Sequence, residues 1–562
     1  MAVYIVLFAL AILLAVPLVM KNPTPVKKTV YLGIMFVLMF LVSVFRYGIG
    51  NDYFSYIRIF RQIDSASFGE AFTLGFEPLF ALLTKLITFV TDDPQVMYGI
   101  YAVLILAPVA WAIRKYSDNV WLSVVVYLCL TLFYNSLSFI RQSMAASLLL
   151  LAYGFMKEQK VVPVLIFGIC AALLHYTAAA FIPFYLLTLI RPTKKNLIIY
   201  GSVSVGVLAV CLIMKAAGAN PLDLIAAAAD ALTGRNYSSY IGTMYFQEGF
   251  GPEYLIMPFG LLAIALIAYF SGWKEKHGSE LLLSLTLVNA SIWSFILYAF
   301  IVERFSLFVL IFAVFTIPSI TEYYAAKARE AEKTETVNKK IPGYSKRKSE
   351  EKKDNSFLIT VGITAGLFVY NCWGMVKDFH GLFPYIWIFP AVQDAYNELD
   401  TPEENRAAML TNADLYTYLI ELKGADCGYL VVSTVTDFNF DGMLDPIRKA
   451  ADYCGLSPIQ ELISKAFSLK GGQYRGSTFV SGKELSEIAP TVSTNEAGRV
   501  TVTDVKGNTA TISDERLAFI LFEEDGTVFD ATQFVVSEPR RSAQKIYFEG
   551  EESDATEESA EP

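Results

Sequence analysis

Charge is scarce in this chain of 562 residues: Asp, Glu, Lys and Arg together make up 18%, against about a quarter in soluble domains. With 54% hydrophobic residues and a mean hydropathy of +0.44, that shortage excludes an ordinary soluble enzyme. There is no basic excess either. The net charge is −9 and the pI about 5.2, so nothing argues for a nucleic-acid partner. Histidine is rarer still, with three in the chain, which leaves His-based catalysis few candidates. The six cysteines include no CxxC pair, and Cys129, Cys170, Cys211 and Cys372 fall in apolar runs. Zinc and redox motifs are therefore absent, and no residue cluster calls for a metal or cofactor.

What the chain has in abundance is long apolar runs. Runs of 17–20 apolar residues are the signature of bilayer-crossing helices. They occur near 2–20, 29–45, 95–113, 119–135, 137–156, 198–214, 253–271, 280–300, 304–320 and 357–376. The stretch 161–190 is too long for one helix and reads as two short ones meeting near His175. The run 74–91 either spans or is re-entrant. The first run has neither a basic leader nor a small-residue cleavage site, so it is expected to stay as a membrane helix. Lys and Arg set orientation. Their clusters sit at Lys21/Lys27/Lys28, Arg114/Lys115, Lys157/Lys160, Arg191/Lys194/Lys195, Lys274/Lys276 and 327–353. If 74–91 does not cross, all six fall on one side. The expected fold is a polytopic α-helical membrane protein of about twelve transmembrane helices, with both termini outside and a C-terminal extracytoplasmic, strand-rich α/β domain.

That topology, fixed without the charges in and beside the spans, places them together. Arg46 ends the second span, and Asp52 and Arg58 follow. Glu77 opens the ambiguous run, and Arg141 lies one turn into 137–156. His175 is at a helix junction, Arg235 in the loop 215–252, and Glu303 and Arg304 at the turn between two spans. All point to the outer leaflet, and ionisable groups at membrane depth are functional candidates by default. The bland alternatives are that Arg46 and Arg304 are interface anchors, that Glu303–Arg304 is a local pair, and that Asn51 or Asp52 merely caps a helix. Several arginines beside a lipid face suit a phosphate-bearing lipid, because the guanidinium fork stays charged and bonds phosphate in pairs. Fixed guanidinium groups also stabilise the charge that develops on a pyrophosphate leaving group. A base must then activate the attacking hydroxyl, and His175 and Asp52 compete for that role.

At these residues the chain resembles the EpsG family of Wzy-like exopolysaccharide polymerases. The resemblance is carried by FRYGIGNDYFSYIRIF (45–60), GFEPLFALLTKL (75–86), SFIRQSMAASLLLLA (138–152) and LLHYTAAAFIPFYLL (173–187), with the ERF segment at 303–305. It implies a membrane glycosyltransferase that joins polyprenyl-pyrophosphate-linked oligosaccharide repeat units into exopolysaccharide at the outer membrane face. By the family pattern Arg46, Gly50, Asp52, Tyr56, Glu77, Arg141, Gln142 and His175 are recurrent polar positions. His175 or Asp52 is expected to move the proton. Arg46, Tyr56, Glu77, Arg141, Gln142, Arg235, Glu303 and Arg304 are expected to bind substrate. The competing readings are a transporter or flippase of lipid-linked glycan, a non-enzymatic glycan-binding scaffold, and a membrane acyltransferase. A transporter should carry polar residues through the bilayer centre and an internal repeat, and neither stands out.

Residues 322–355 hold ten Lys/Arg and seven Asp/Glu and read as a charged cytoplasmic linker before the last span, 356–376. Residues 377–548 change character. GYLVVSTVT, RVTVTDV, TATIS, LAFILF and TVFDATQF read as strands. EEDGT reads as a hairpin turn. Helices are expected from Asp445-Pro446 to Ala451 and from Ser457-Pro458. This part resembles the interleukin-like EMT inducer (ILEI) domain through YLVVSTVTDFNFDGML (429–444), YCGL (453–456) and RLAFILFEEDGTVFDATQF (516–534). The resemblance implies glycan binding or positioning. Cys427 and Cys454 are read either as a disulfide, which an oxidising exterior permits, or as two buried thiols. The acidic tail 549–562 reads as disordered.

Overall fold

The computed structural model describes residues 2–218, 252–338, 356–377, 405–435 and 478–548, apart from gaps within those stretches, together with Ile447, Ala450 and Ala451. The chain divides into two units, Met1–Tyr385 and Ile386–Pro562.

The first unit is helical. It opens with α1 (Ala2–Ala15), prolonged by a π-turn at Val16–Met20 that contains Pro17, then α2 (Pro25–Val44), α3 (Tyr53–Ser65), α4 (Pro78–Thr88) and α5 (Pro94–Tyr116). Three of these starts follow one rule: Pro sits at the first helical position of α2, α4 and α5, where its missing N–H costs no bond. Thr24 and Asp93 cap α2 and α5 with their side chains. Next come α6 (Val120–Cys129), α7 (Leu132–Ser138), α8 (Ile140–Leu151), α9 (Tyr153–Lys157), α10 (Val161–Leu174), α11 (Phe181–Thr188) and α12 (Lys194–Ala216). The unit ends with α13 (Ile256–Phe270), α14 (Ser279–Trp293), α15 (Val302–Leu310), α16 (Ala313–Asn338) and α17 (Ser356–Lys377).

Seven described helical segments are long and apolar enough to cross a membrane, or nine if each bent pair is one span. The protein is thus a multi-pass membrane protein, with a coarser count than the expected twelve. Three expectations changed at the level of elements. The run 119–135 is broken: α6 and α7 meet at 49°, where Thr131 takes a left-handed φ of 59°. The run 304–320 is broken between α15 and α16 at 48°, and α16 continues helical through the charged stretch to Asn338. The run 137–156 is divided between α8 and α9. At 12 residues, α8 is roughly 18 Å long, well short of a hydrocarbon core of about 30 Å. The run 161–190 does divide at His175, into α10, a 3-10 segment Tyr176–Ala180 and α11. The ambiguous 74–91 holds one 11-residue helix, α4, too short to cross.

Two side-chain ties show which helix ends lie together. At one end of the α2–α5 pair, Arg114 donates to the Pro25 carbonyl at 3.1 Å and to Thr29 Oγ1 at 2.9 Å. At the other end, the Arg46 guanidinium lies 4.7 Å from the Tyr98 ring centre.

Among the described residues, the second unit contains α18 (Leu415–Gly424) and eight strands. They are β1 (Gly428–Ser433), β2 (Thr478–Val480), β3 (Thr491–Thr494), β4 (Val500–Thr503), β5 (Thr509–Thr511), β6 (Arg516–Phe522), β7 (Val528–Val535) and β8 (Gln544–Lys545). One sheet has the order β2-β1-β6-β7-β8 and the other β3-β4-β5, all described pairs antiparallel. Period-2 alternation gives the central sheet two apolar faces. Ala518, Ile520 and Ala531 pack against Val500, Val502 and Ala510 of the smaller sheet. Phe519 and Phe534 pack against Tyr418 of α18, with ring centres 5.2 and 5.1 Å away. Burial holds the Tyr418 phenol well above its ordinary range, and it donates to Asp530 at 3.2 Å. Lys545 closes on the other oxygen of Asp530 at 2.6 Å. The expected strands and the EEDGT hairpin are present, with Gly526 at φ 82° in the turn and its N–H on the Glu523 carbonyl. The expected helix from 457, Cys454 and the acidic tail lie outside the described residues.

Candidate active site

The site is assembled from four helix ends in the first unit. Gly75 turns the chain at φ 85°, and Glu77 then stands at the N-cap of α4 with an extended backbone (φ −61°, ψ 134°), the conformation that a following proline favours. Its carboxylate makes no cap bond to α4 and turns to other elements instead. One oxygen accepts from Arg141 Nη1 at 2.6 Å, and the other is 2.8 Å from His175 Nδ1. The Tyr176 N–H also reaches the second oxygen, at 3.4 Å. Glu77 is 4% exposed. A carboxylate that deeply placed needs paired charge and hydrogen bonds to persist, and Arg141 and His175 supply them.

Arg141 is in the first turn of α8. Phe139 at the N-cap offers no side-chain cap, so the orphan N–H groups of that turn need outside partners. The Arg141 N–H finds the Tyr56 hydroxyl at 3.2 Å, which anchors α8 to α3. The guanidinium lies 5.3 Å from the Phe80 ring centre and 6.0 Å from that of Tyr56. Its Nε is buried without a protein partner, while the side chain keeps 26% exposure. It is therefore held by one carboxylate and retains unused donor capacity. His175 closes α10 in an extended conformation (φ −157°, ψ 117°), because the chain passes there into the 3-10 segment. An ionised carboxylate only accepts hydrogen bonds, so pairing with Glu77 places the proton on Nδ1 and leaves Nε2 as the basic nitrogen. Gln142 donates to Thr177 at 3.3 Å, two residues beyond His175, and its Oε1 is buried without a partner.

The structure thus joins Tyr56, Glu77, Arg141 and His175 through side-chain contacts, with Gln142 beside them on Thr177. Arg304 approaches the same junction from α15, its guanidinium 4.4 Å from the ring centre of Phe139. Glu303 precedes it in the first turn of α15. Asp52 stands at the N-cap of α3, one turn before Tyr56, and makes no cap bond there. Arg235 lies outside the described residues.

Arg46 has a different setting. It is 2% exposed, and its donors go to backbone carbonyls: Nε to Ile49 at 3.2 Å, Nη2 to Leu137 at 3.3 Å, and Nη1 to Ser43. Tyr98 and Tyr53 flank it at 4.7 and 5.6 Å. It pins the 45–52 loop to the segment that leads into α8. Gly50 belongs to the same fastening. At φ +97° it is in a region side chains avoid, and a Cβ there would stand 2.3 Å from the Leu137 carbonyl oxygen. Sequence reasoning missed Thr177 and Phe80. Phe80 is one helical turn after Glu77 and Thr177 two residues after His175, but both read as ordinary helix-surface and core residues.

A family model described as the EpsG family matches residues 29–333. That range contains every residue of this site. No curated protein and no solved structure matches the chain.

Proposed function

The chain belongs to the EpsG family, whose model covers more than half of it, and from that premise we propose that it is a polysaccharide polymerase of the plasma membrane. Its proposed substrates are polyprenyl-pyrophosphate-linked oligosaccharide repeat units, and it joins them at the outer face. The observation that carries the reading is the Glu77 carboxylate bridging Arg141 and His175. It sets an anion-binding group beside a group able to take a proton, at helix ends and not in the bundle interior.

In this reading a sugar hydroxyl of the incoming unit attacks the anomeric carbon of the growing chain. The new C–O bond forms as the bond from that carbon to pyrophosphate oxygen breaks. The hydroxyl proton passes to His175 Nε2, and the electron pair leaves with the polyprenyl pyrophosphate. Arg141 stabilises that charge through its guanidinium, whose Nε has no protein partner, and Arg304 supports it from α15. Glu77 fixes the His175 tautomer and offsets the positive charge the ring gains, as the carboxylate of a carboxylate–His pair does. Asp52 is the alternative proton acceptor. Arg46 and Gly50 are proposed to position the loop, not to touch substrate. The C-terminal unit is proposed to be an ILEI-like domain outside the membrane that binds glycan. A transporter has less support, since it should place polar groups across the midplane and this set gathers at helix ends.

The test is the size distribution of cell-surface polysaccharide in a strain lacking the chain, complemented with wild type, Arg141→Lys or His175→Ala at matched protein levels. Single repeat units confined to the outer face, with no ladder, are expected for the deletion and both variants. Lys is expected to fail because a point charge does not replace the guanidinium fork. A normal ladder in the variants overturns the site. Repeat units retained on the cytoplasmic face would make the chain a transporter.

A further inference from the structure

A second lipid-facing feature lies at the end of α2 away from the site. Between α1, α17 and the start of α6 opens a crevice of about 1120 Å³, at the top of the range of about 300–1,000 Å³ for small-molecule pockets. It is closed at one end where the Phe8 and Phe368 rings stack at 4.5 Å. From there it runs along α1 to Met20 and along α17 to Phe357. At 1.5 Å per residue these walls are roughly 16–18 Å long, close to half of a hydrocarbon core of about 30 Å. The crevice is therefore one leaflet deep. Its walls are apolar apart from Thr360 and Thr364, and the Thr364 hydroxyl is already returned to the Thr360 carbonyl at 2.8 Å.

The open end is polar. Lys28, Asn119 and Arg329 line it, together with Asp118 and Glu322. Glu322 takes the Arg329 guanidinium. The lining charges balance, but Lys27, Arg114 and Lys115 stand at the same helix ends outside the lining, so the surface around the mouth is basic. This end is remote from the reaction site. α2 runs from Pro25 beside the rim to Val44 beside Arg46, 20 residues and roughly 30 Å. The substrate lipid of the proposed reaction is thus not the occupant.

We propose that the crevice is a binding site for one anionic phospholipid of the leaflet on the Lys28 side, with its acyl chains between α1 and α17 and its phosphate at Lys28 and Asn119. An apolar, leaflet-deep cleft that opens beside Lys28 onto a basic membrane surface fits that class of ligand, since basic groups at a membrane surface draw anionic head groups. The lipid would fill the space between the first and last helices of the unit and hold α17 in place.

The test is lipid extraction and mass spectrometry on the full chain, purified in detergent and washed to constant lipid content. Two variants accompany wild type. Ala365→Trp fills the exposed wall of α17, and Lys28→Glu reverses the rim charge without touching the walls. Wild type is expected to retain close to one anionic phospholipid per chain, and each variant to retain at least about five-fold less. No retained phospholipid in wild type, or equal retention in Ala365→Trp and wild type, overturns the proposal. So does a retained lipid that proves to be a polyprenyl phosphate. Lys28→Glu guards against misfolding as the cause of loss, because its side chain stands at a helix end and not in the packed core.

Discussion

Glu77 is the residue on which the site depends most directly. It neutralises Arg141, orients His175 and accepts the Tyr176 N–H, all from a position that is nearly sealed from solvent. Glu77→Gln keeps the shape and removes the charge. Hydrogen bonds to charged groups contribute about 1.5–3 kcal/mol each, and the amide weakens both and leaves His175 free to choose the other tautomer. Chain extension is expected to fall by roughly 10²–10⁴, the range of a general-base contribution, while membrane insertion continues. Glu77→Asp restores the charge but not the reach, and should recover only part of the rate. The check is polymer formed per unit of membrane protein. Near-normal extension by Glu77→Gln would reduce Glu77 to a packing role. Much of the site is legible in the sequence at this scale. Arg141 and His175 stand out because charge inside an apolar run is costly, and Glu77 because it opens one. Arg46 was equally visible, but its burial against three carbonyls was not. Sequence places a charge at a membrane depth without saying which neighbours its donors meet.

At the scale of elements, one further charge explains how α3 and α4 stay in register. Lys85, in the last turn of α4, is 6% exposed. Its ammonium donates to the carbonyls of Ile63, Asp64 and Ala66 at 3.1, 3.0 and 2.7 Å. Those carbonyls belong to the end of α3, where helical groups lack partners and the dipole is negative. Lys85→Met keeps the apolar stem and drops the cap, at an expected cost on the order of 2–3 kcal/mol to local stability. Because α3 carries Tyr56, loosening that end should disturb Arg141 as well. Limited proteolysis should show faster cleavage in 65–76 with the rest of the chain intact. Unchanged cleavage would mean that α3 is held by its apolar contacts alone. The helices themselves were largely legible, since long apolar runs admit few alternatives. The breaks at Thr131 and between α15 and α16 were not. Hydropathy averages over a window and does not register a single residue with positive φ or two residues that leave the helix.

For the whole molecule, the decisive question is which side of the membrane holds the site. The two ends of α2 and α5 are distinguished by their ties. Arg114 meets Pro25 and Thr29 at one end, and Arg46 meets Tyr98 at the other. Lys27, Lys28, Arg114 and Lys115 share the first end, and the candidate site lies at the second. Helices α3 and α4 intervene between α2 and α5 but, with 13 and 11 residues, are too short to cross, so α2 and α5 run antiparallel with one crossing each. A basic end is expected on the cytoplasmic side, and with that orientation the proposed function expects Arg141, Glu77 and His175 outside. Ser65 ends α3 on the site side, and Lys21 precedes α2 on the basic side, both exposed. In intact cells an impermeant thiol reagent should label Ser65→Cys and leave Lys21→Cys unlabelled until the membrane is opened, with wild type giving the background of the native cysteines. Reversed labelling would put the site in the cytoplasm, where an exposed polymer would have to be exported after synthesis. Labelling of both from outside would mean that α2 does not cross. With the proposed function, the expected pattern requires the lipid-linked substrate to reach the outer face before this chain acts, so a separate flipping step would come first.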